Sequence, residues 1–197
     1  MTCIGQLKNS LGRTAMTTIA NPIVIWKIDP AHSSAEFKVK HMMISNVKGS
    51  FNGVNGTLFE DTSNPALSHI DATIDVSTIS TGDAQRDAHL KSADFFHHEQ
   101  HPTMTFHSTR VEKKGDGEYA VSGDLTLHGV SKPVVFTVEG PSAPGEDPWG
   151  NTRIGLSATT RINRKDFGLT WNSAIETGGI LVGEEVQITL DVQLIQS

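Results

Sequence analysis

From Trp26 to the end of the chain, apolar and polar residues alternate with a period of two, the pattern of strands with one buried and one wet face. Ala35, Phe37 and Val39 oppose Glu36, Lys38 and Lys40, and Val47, Gly49, Phe51 and Gly53 follow on the next strand. Ile70, Ala72, Ile74 and Val76 alternate without exception against His69, Asp71, Thr73 and Asp75. The same rhythm runs through Met104, Phe106 and Ser108, through Val121, Gly123, Leu125 and Leu127, and through Val134, Phe136 and Val138. It returns at Ile154, Leu156 and Ala158 and in a final strand from Val186 to Leu194. Lys114-Gly-Asp-Gly predicts a hairpin turn, since its glycines accept positive φ. His128 to Pro133 and the Pro- and Gly-rich stretch 140 to 151 read as loops.

Eight or nine strands result, nearly all with one apolar face and no helices between them. Parallel strands would be apolar on both faces and would need helical crossovers, so the sheet is antiparallel. An antiparallel sheet of this length with one apolar face curls into a sandwich or a barrel, and alternation alone leaves both open.

Thr81 to Phe106, TGDAQRDAHLKSADFFHHEQHPTMTF, breaks the rhythm. Asp83 is placed to cap a helix of about two turns through Ala84, Ala88, Leu90 and Lys91, and Pro102 forces the chain to be extended again by Met104. This interval reads as a lid over the strands. A further helical turn is expected at Ser173 to Gly179.

Several stretches resemble one family in the same order: WKIDPAHSSAEFKVKH at 26 to 41, VKGSFNGVNGTLFED at 47 to 61, RDAHLKSADFFHHEQHPTMTFHS in the lid, VSGDLTLHGVSKPVVFTVE at 121 to 139 and RINRKDFGLTWN at 161 to 172. Together they are similar to the YceI-like polyisoprenoid-binding family over about residues 24 to 196. The lid positions that carry the likeness are Arg86, Asp87, His89, Leu90, Asp94, Phe95, Phe96 and Pro102. The resemblance implies an eight-stranded antiparallel lipocalin-like barrel with a short helical lid, holding a long isoprenoid or isoprenoid-quinone-like lipid inside and catalysing no reaction. Residues 1 to 22 are expected to be a disordered tail and 23 to 197 the barrel domain.

Composition narrows the partners. The 197 residues carry 16 basic against 22 acidic side chains, a net charge of −6, which disfavours nucleic acid and anionic membranes as principal partners. No apolar run is long enough to span a bilayer, and Cys3 is alone, so no intrachain disulfide forms. The first 20 residues lack the apolar core of a secretory signal, so a cytoplasmic location is expected, although family members are often exported. Met16 is an alternative start. Exposed edge strands would leave a homodimer open.

For chemistry, the histidines come first. His89, His97, His98, His101 and His107 lie in or beside the lid with Glu99 among them, but the HExxH spacing of zinc hydrolases is not met and Pro102 interrupts the helix that would align His97 with His101. A metal-dependent hydrolase built on them is the alternative function. No nucleophile elbow or phosphate loop is present. Asp87 and Lys91 form an i, i+4 pair, and the arginines of the lid and of 161 to 166 read mainly as a network pinning lid to rim. The expected ligand wall is Phe37, Val39, Phe51, Ile70, Ile74, Val76, Leu90, Phe95, Phe96, Phe106, Leu125, Leu127, Phe136, Leu156, Phe167 and Leu169, with Arg86 or His89 at the mouth. The same apolar set would serve a dry core. The small residues Ala35, Gly49, Gly53, Ala72, Ser108, Gly123 and Ala158 either seat larger neighbours or leave room.

Overall fold

A computed structural model describes residues 23–174 and 179–197. The tail expected at 1 to 22 and most of the helical turn expected at 173 to 179 lie outside the described residues. The strands are β1 (Ile23–Ile28), β2 (Ser34–His41), β3 (Ser45–Phe51), β4 (Val54–Asp61), β5 (His69–Asp75), β6 (Thr103–Gly115), β7 (Glu118–Leu127), β8 (Val130–Glu139), β9 (Gly145–Glu146), β10 (Thr152–Asn163) and β11 (Val182–Gln196), with one helix, α1 (Ala84–Lys91). None of the described helices is long and apolar enough to cross a membrane.

Every pairing is antiparallel, and the ring β1-β4-β5-β6-β7-β8-β10-β11 closes on itself because β11 bonds β10 along one edge and β1 along the other. The alternation is thus resolved in favour of a closed eight-stranded barrel over a sandwich. Closure removes the open edges that a sandwich would expose. β2 takes over the second edge of β11 from Asp191 down to Val182 and carries β3 beside it, so β1–β2 and β3–β4 act as two long, bent strands. A two-way bridge between Ser50 and Ser80 (2.8 and 2.9 Å) ties the free edge of β3 to the start of the lid.

Two expectations change in detail. Val76 leaves β5 for a short 3-10 turn, Val76–Thr78, capped by Asp75. The stretch expected as a loop from His128 to Pro133 is a two-residue turn, His128-Gly129, with φ of 53° and 73°, and β8 begins at once. Such mirror-image turns suit the twist of a hairpin. Pro133 is tolerated in the strand because β10 pairs β8 only at Thr137–Glu139, so its missing N–H removes no bond on that side.

In the lid, the Asp83 carboxylate accepts from the amides of Gln85 and Arg86, both at 3.0 Å, and the helix runs two turns as its sequence implies. Asp87 does not reach for Lys91. It takes the Thr81 amide at 2.8 Å and the Thr81 hydroxyl at 2.6 Å, while Arg86 donates to the same hydroxyl and to the Thr81 carbonyl. Helix and barrel edge are thereby joined through one threonine. At the other end of the barrel Arg153 bridges Asp29 and Asp147, each at 2.6 Å. Its two charge-assisted bonds hold Asp29 down at about 2 from the usual 3.8 and lower Asp147 as well.

Candidate ligand-binding cavity

The barrel is closed but only partly filled. Trp26, Ile154 and Leu194, between 0 and 3% exposed, plug the side near β1. Elsewhere the inward residues of β5, β6, β7, β10 and β11, among them Ile70, Ile74, Phe106, Leu125, Leu156, Ile188 and Leu190, remain half-buried although they point away from bulk solvent. They face a cavity of about 430 Å³ that runs from the lid to the opposite end of the barrel. That size falls within the range of small-molecule sites, about 300 to 1,000 Å³.

Alternation explains most of the wall. Each strand sends every second side chain inward, and Leu58 of β4, Ile74 of β5, Leu125 of β7, Leu156 of β10 and Ile188 of β11 meet across the lumen. The small residues divide between two roles. A Cβ on Gly123 would lie 2.5 Å from the Phe106 ring, and one on Gly49 2.4 Å from the Phe37 ring, so these glycines seat aromatic neighbours. Gly53 backs onto Thr78, and the buried Ser108 hydroxyl accepts the Ile70 amide at 2.8 Å. Ala35, Ala72 and Ala158 face the cavity and leave room in it.

The lid closes one end with aromatic contacts. Phe96 meets Phe51 edge to face at 5.7 Å, and Phe51 continues to Phe37 at 5.8 Å. Leu90, Phe95 and Phe96 face inward from the lid, with Leu169 and Val182 beside them. At the far end the wall includes the exposed Thr62 and Pro141, with Glu60 and Asp61 next to them. Trp26 Nε1 donates to Glu60 at 2.7 Å, and the Ser63 and Asn64 amides donate to Asp61 at 3.0 and 2.9 Å, which keeps both carboxylates at the rim.

Four residues of the expected wall lie elsewhere. Val76 is 1% exposed and packed in the turn after β5. Phe167, 2% exposed, sits in the 3-10 turn Arg164–Phe167 after β10 and is buried in the packed core with no share in the cavity wall. Arg86 is spent on Thr81, as above. His89 bonds Asp94 at 2.9 Å and packs edge-on against Phe95 and Trp171, bracing the lid from outside. The remaining expected wall residues all line the cavity.

Other wall residues escaped the sequence. Val111 faces the cavity because a bulge at Thr109 shifts the parity of β6 after Ser108, and Tyr119 because it continues the inward alternation of β7 one step before Val121. Arg164 is less expected still: it lines the lid end at 3% exposure, its guanidinium donating to the carbonyls of Gly183 (2.8 Å), Trp171 (2.9 Å), Val182 (3.2 Å) and Leu169. Burial lowers its pKa, and no described carboxylate bonds it. Its role is to gather the chain after β10 and the start of β11 around one cation.

The lid histidines disperse. His98 faces the Lys91 carbonyl, and His107 pairs with Asp71 on the outer face of the barrel. His97 and His101 instead meet His128 of the β7–β8 turn, outside the cavity wall.

A closed antiparallel barrel with a hollow apolar lumen and a short helical cap defines a lipocalin-like binding barrel. More particularly, the chain belongs to the YceI-like family, whose domain matches residues 26–194. A UPF0312 protein of Vibrio cholerae is 45% identical over 139 residues, 71% of this chain and 73% of its own. Among solved structures, the Campylobacter jejuni YCEI protein superposes with a TM-score of 0.68 at 27% identity, covering 97% of this chain and 99% of its own. A polyisoprenoid binding domain from Saccharophagus degradans, implicated in plant cell wall breakdown, shares the fold at 16% identity and a TM-score of 0.63, covering 87% and 98%.

Proposed function

We propose that the protein binds a long-chain polyisoprenoid or isoprenoid-quinone-like lipid by its tail inside the barrel, for storage, transport or sequestration, and carries out no chemistry on it. The observation that carries this reading is the apolar lumen that the chain's own side chains leave empty. Water in such a space would have few polar partners, so an apolar guest is favoured. Each buried methylene contributes ~0.8 kcal/mol, so one five-carbon unit adds ~3 to 4 kcal/mol before ordering costs, and a few units suffice for tight binding. The name of the Saccharophagus degradans neighbour agrees with a ligand of this class.

The rim adds a preference. Glu60 and Asp61 lie at the end where the wall reaches solvent, so an uncharged head group, a hydroxyl or a quinone, suits that mouth better than a diphosphate. The test is to extract the purified protein with organic solvent, analyse the extract by mass spectrometry, and titrate the delipidated protein with a long-chain polyprenol and with the matching polyprenyl diphosphate. A co-purifying isoprenoid and tighter binding of the polyprenol are expected. No lipid in the extract together with no binding of either probe would overturn the proposal.

A further inference from the structure

The convergence of His97, His101 and His128 has no part in the lumen. Although Pro102 forbids a continuing helix, a single turn closes before it: the His97 carbonyl accepts from the amides of Gln100 at 3.0 Å and His101 at 2.9 Å. The two rings therefore stand one turn apart, 6.0 Å between centroids. The ring of His128 approaches His101 from the β7–β8 turn at 4.9 Å. One nitrogen from each residue can be chosen so that all three lie within 4.8 Å of one another, and all three side chains are half-buried.

The backbone is arranged around these rings. His97 and His128 both carry positive φ, 47° and 53°, a conformation that costs side-chain-bearing residues and is uncommon outside special sites. Glycines clear the space beside two of the rings: a Cβ on Gly129 would come within 2.7 Å of His101, and one on Gly168 within 3.2 Å of His128 Nδ1. The turn after β10 packs against the Nδ1 side of the His128 ring at Gly168.

We propose that His97, His101 and His128 bind one divalent transition-metal ion of the zinc, nickel or copper class, which ties the lid to the β7–β8 turn. Imidazole donors select these ions over magnesium and calcium, which require oxygen ligands. A tetrahedral zinc with bonds of about 2.0 to 2.1 Å needs nitrogens about 3.4 Å apart, so binding would draw the three rings inward from the 4.8 Å within which their nitrogens lie. Three protein ligands leave a fourth position for water. Because Phe95 and Phe96 directly precede His97, the bound ion would hold the aromatic end of the lid in place. The site stands whether or not the lumen carries a lipid.

The experiment uses chelator-treated, tag-free protein titrated with Zn²⁺ by calorimetry and with Co²⁺ by visible absorption, which reports tetrahedral coordination. One ion per chain is expected, with at least a tenfold weaker affinity in His101→Ala, His97→Asn and His128→Asn, the asparagines being chosen because they tolerate positive φ. His98→Ala, whose ring lies outside the cluster, should bind as the parent does. Zn²⁺ should also slow hydrogen exchange at 92 to 101 in the parent and leave it unchanged in the three cluster variants. Absence of saturable one-to-one binding, binding retained in all three cluster variants, or equal loss in His98→Ala would overturn the proposal.

Discussion

Filling the lumen from within separates a hollow barrel from a packed one. Ala72 of β5 faces the cavity and stays half-buried, and its paired neighbour on β4, Gly56, has no side chain. In Ala72→Trp the indole would enter open space and displace about one five-carbon unit of a bound tail. At ~3 to 4 kcal/mol per unit, with about half lost to ordering in the parent complex, the net cost is about 2 kcal/mol, or a roughly thirtyfold weaker Kd. Folding stability of the lipid-free protein should change by less than about 1 kcal/mol, whereas the same insertion into a filled core costs about 1 to 3 kcal/mol or more. Urea unfolding of delipidated protein measures the second quantity and polyprenol titration the first. An unchanged Kd, or destabilisation of the lipid-free protein clearly beyond about 1 kcal/mol, would refute the claim that this space is open and occupied by the tail.

Other perturbations probe the frame. Gly123→Ala should destabilise the fold by about 2 kcal/mol in thermal or urea unfolding, because its Cβ would meet the His107 carbonyl at 2.4 Å as well as the Phe106 ring. Arg153→Ala leaves Asp29 and Asp147 without their shared cation, and a lower urea midpoint is expected by chemical denaturation. Both carboxylates titrate below their usual range when folded, so their stabilising contribution is complete above about pH 4 and is lost as the pH falls through about 2, where Asp29 titrates. The urea midpoint should fall across that window, and Asp29→Asn should flatten the slope. Phe96→Ala breaks the edge contact with Phe51, and faster release of a bound polyprenol in stopped-flow exchange, with the equilibrium fold retained, is the expected result.

The alternation of β2, β5 and β11 made their inward faces legible, because a strand's side chains alternate whatever lies across from them. The cap at Asp83 was legible for a similarly local reason: a carboxylate one residue before a helix serves the first amides wherever that helix sits. Val111 was not, since a bulge reverses parity without a marker in the residues themselves. Nor was the turn at His128-Gly129, where histidine takes a conformation that asparagine or glycine usually signals. Trp171 behind His89 and Arg164 beneath the lid depend on chain returning from far along the sequence, and no local pattern announces them.

Period-two patterning, the break at 81 to 106 and the absence of interleaved helices determined an antiparallel sheet with one apolar face and a cap. Whether that sheet would close, and whether its interior would be full, were left to the tertiary structure, because both depend on distances across the barrel. β11 had to find β10 on one edge and β1 and β2 on the other before there was a lumen at all. The occupancy of that lumen then rested on side-chain volume summed around eight strands, in which alanines at 35, 72 and 158 left open what the glycines at 49 and 123 allowed aromatic rings to fill. The meeting of His97 and His101 with His128 is of the same kind, since 27 to 31 positions of chain separate them and only the packing of the lid on the β7–β8 turn brings them together.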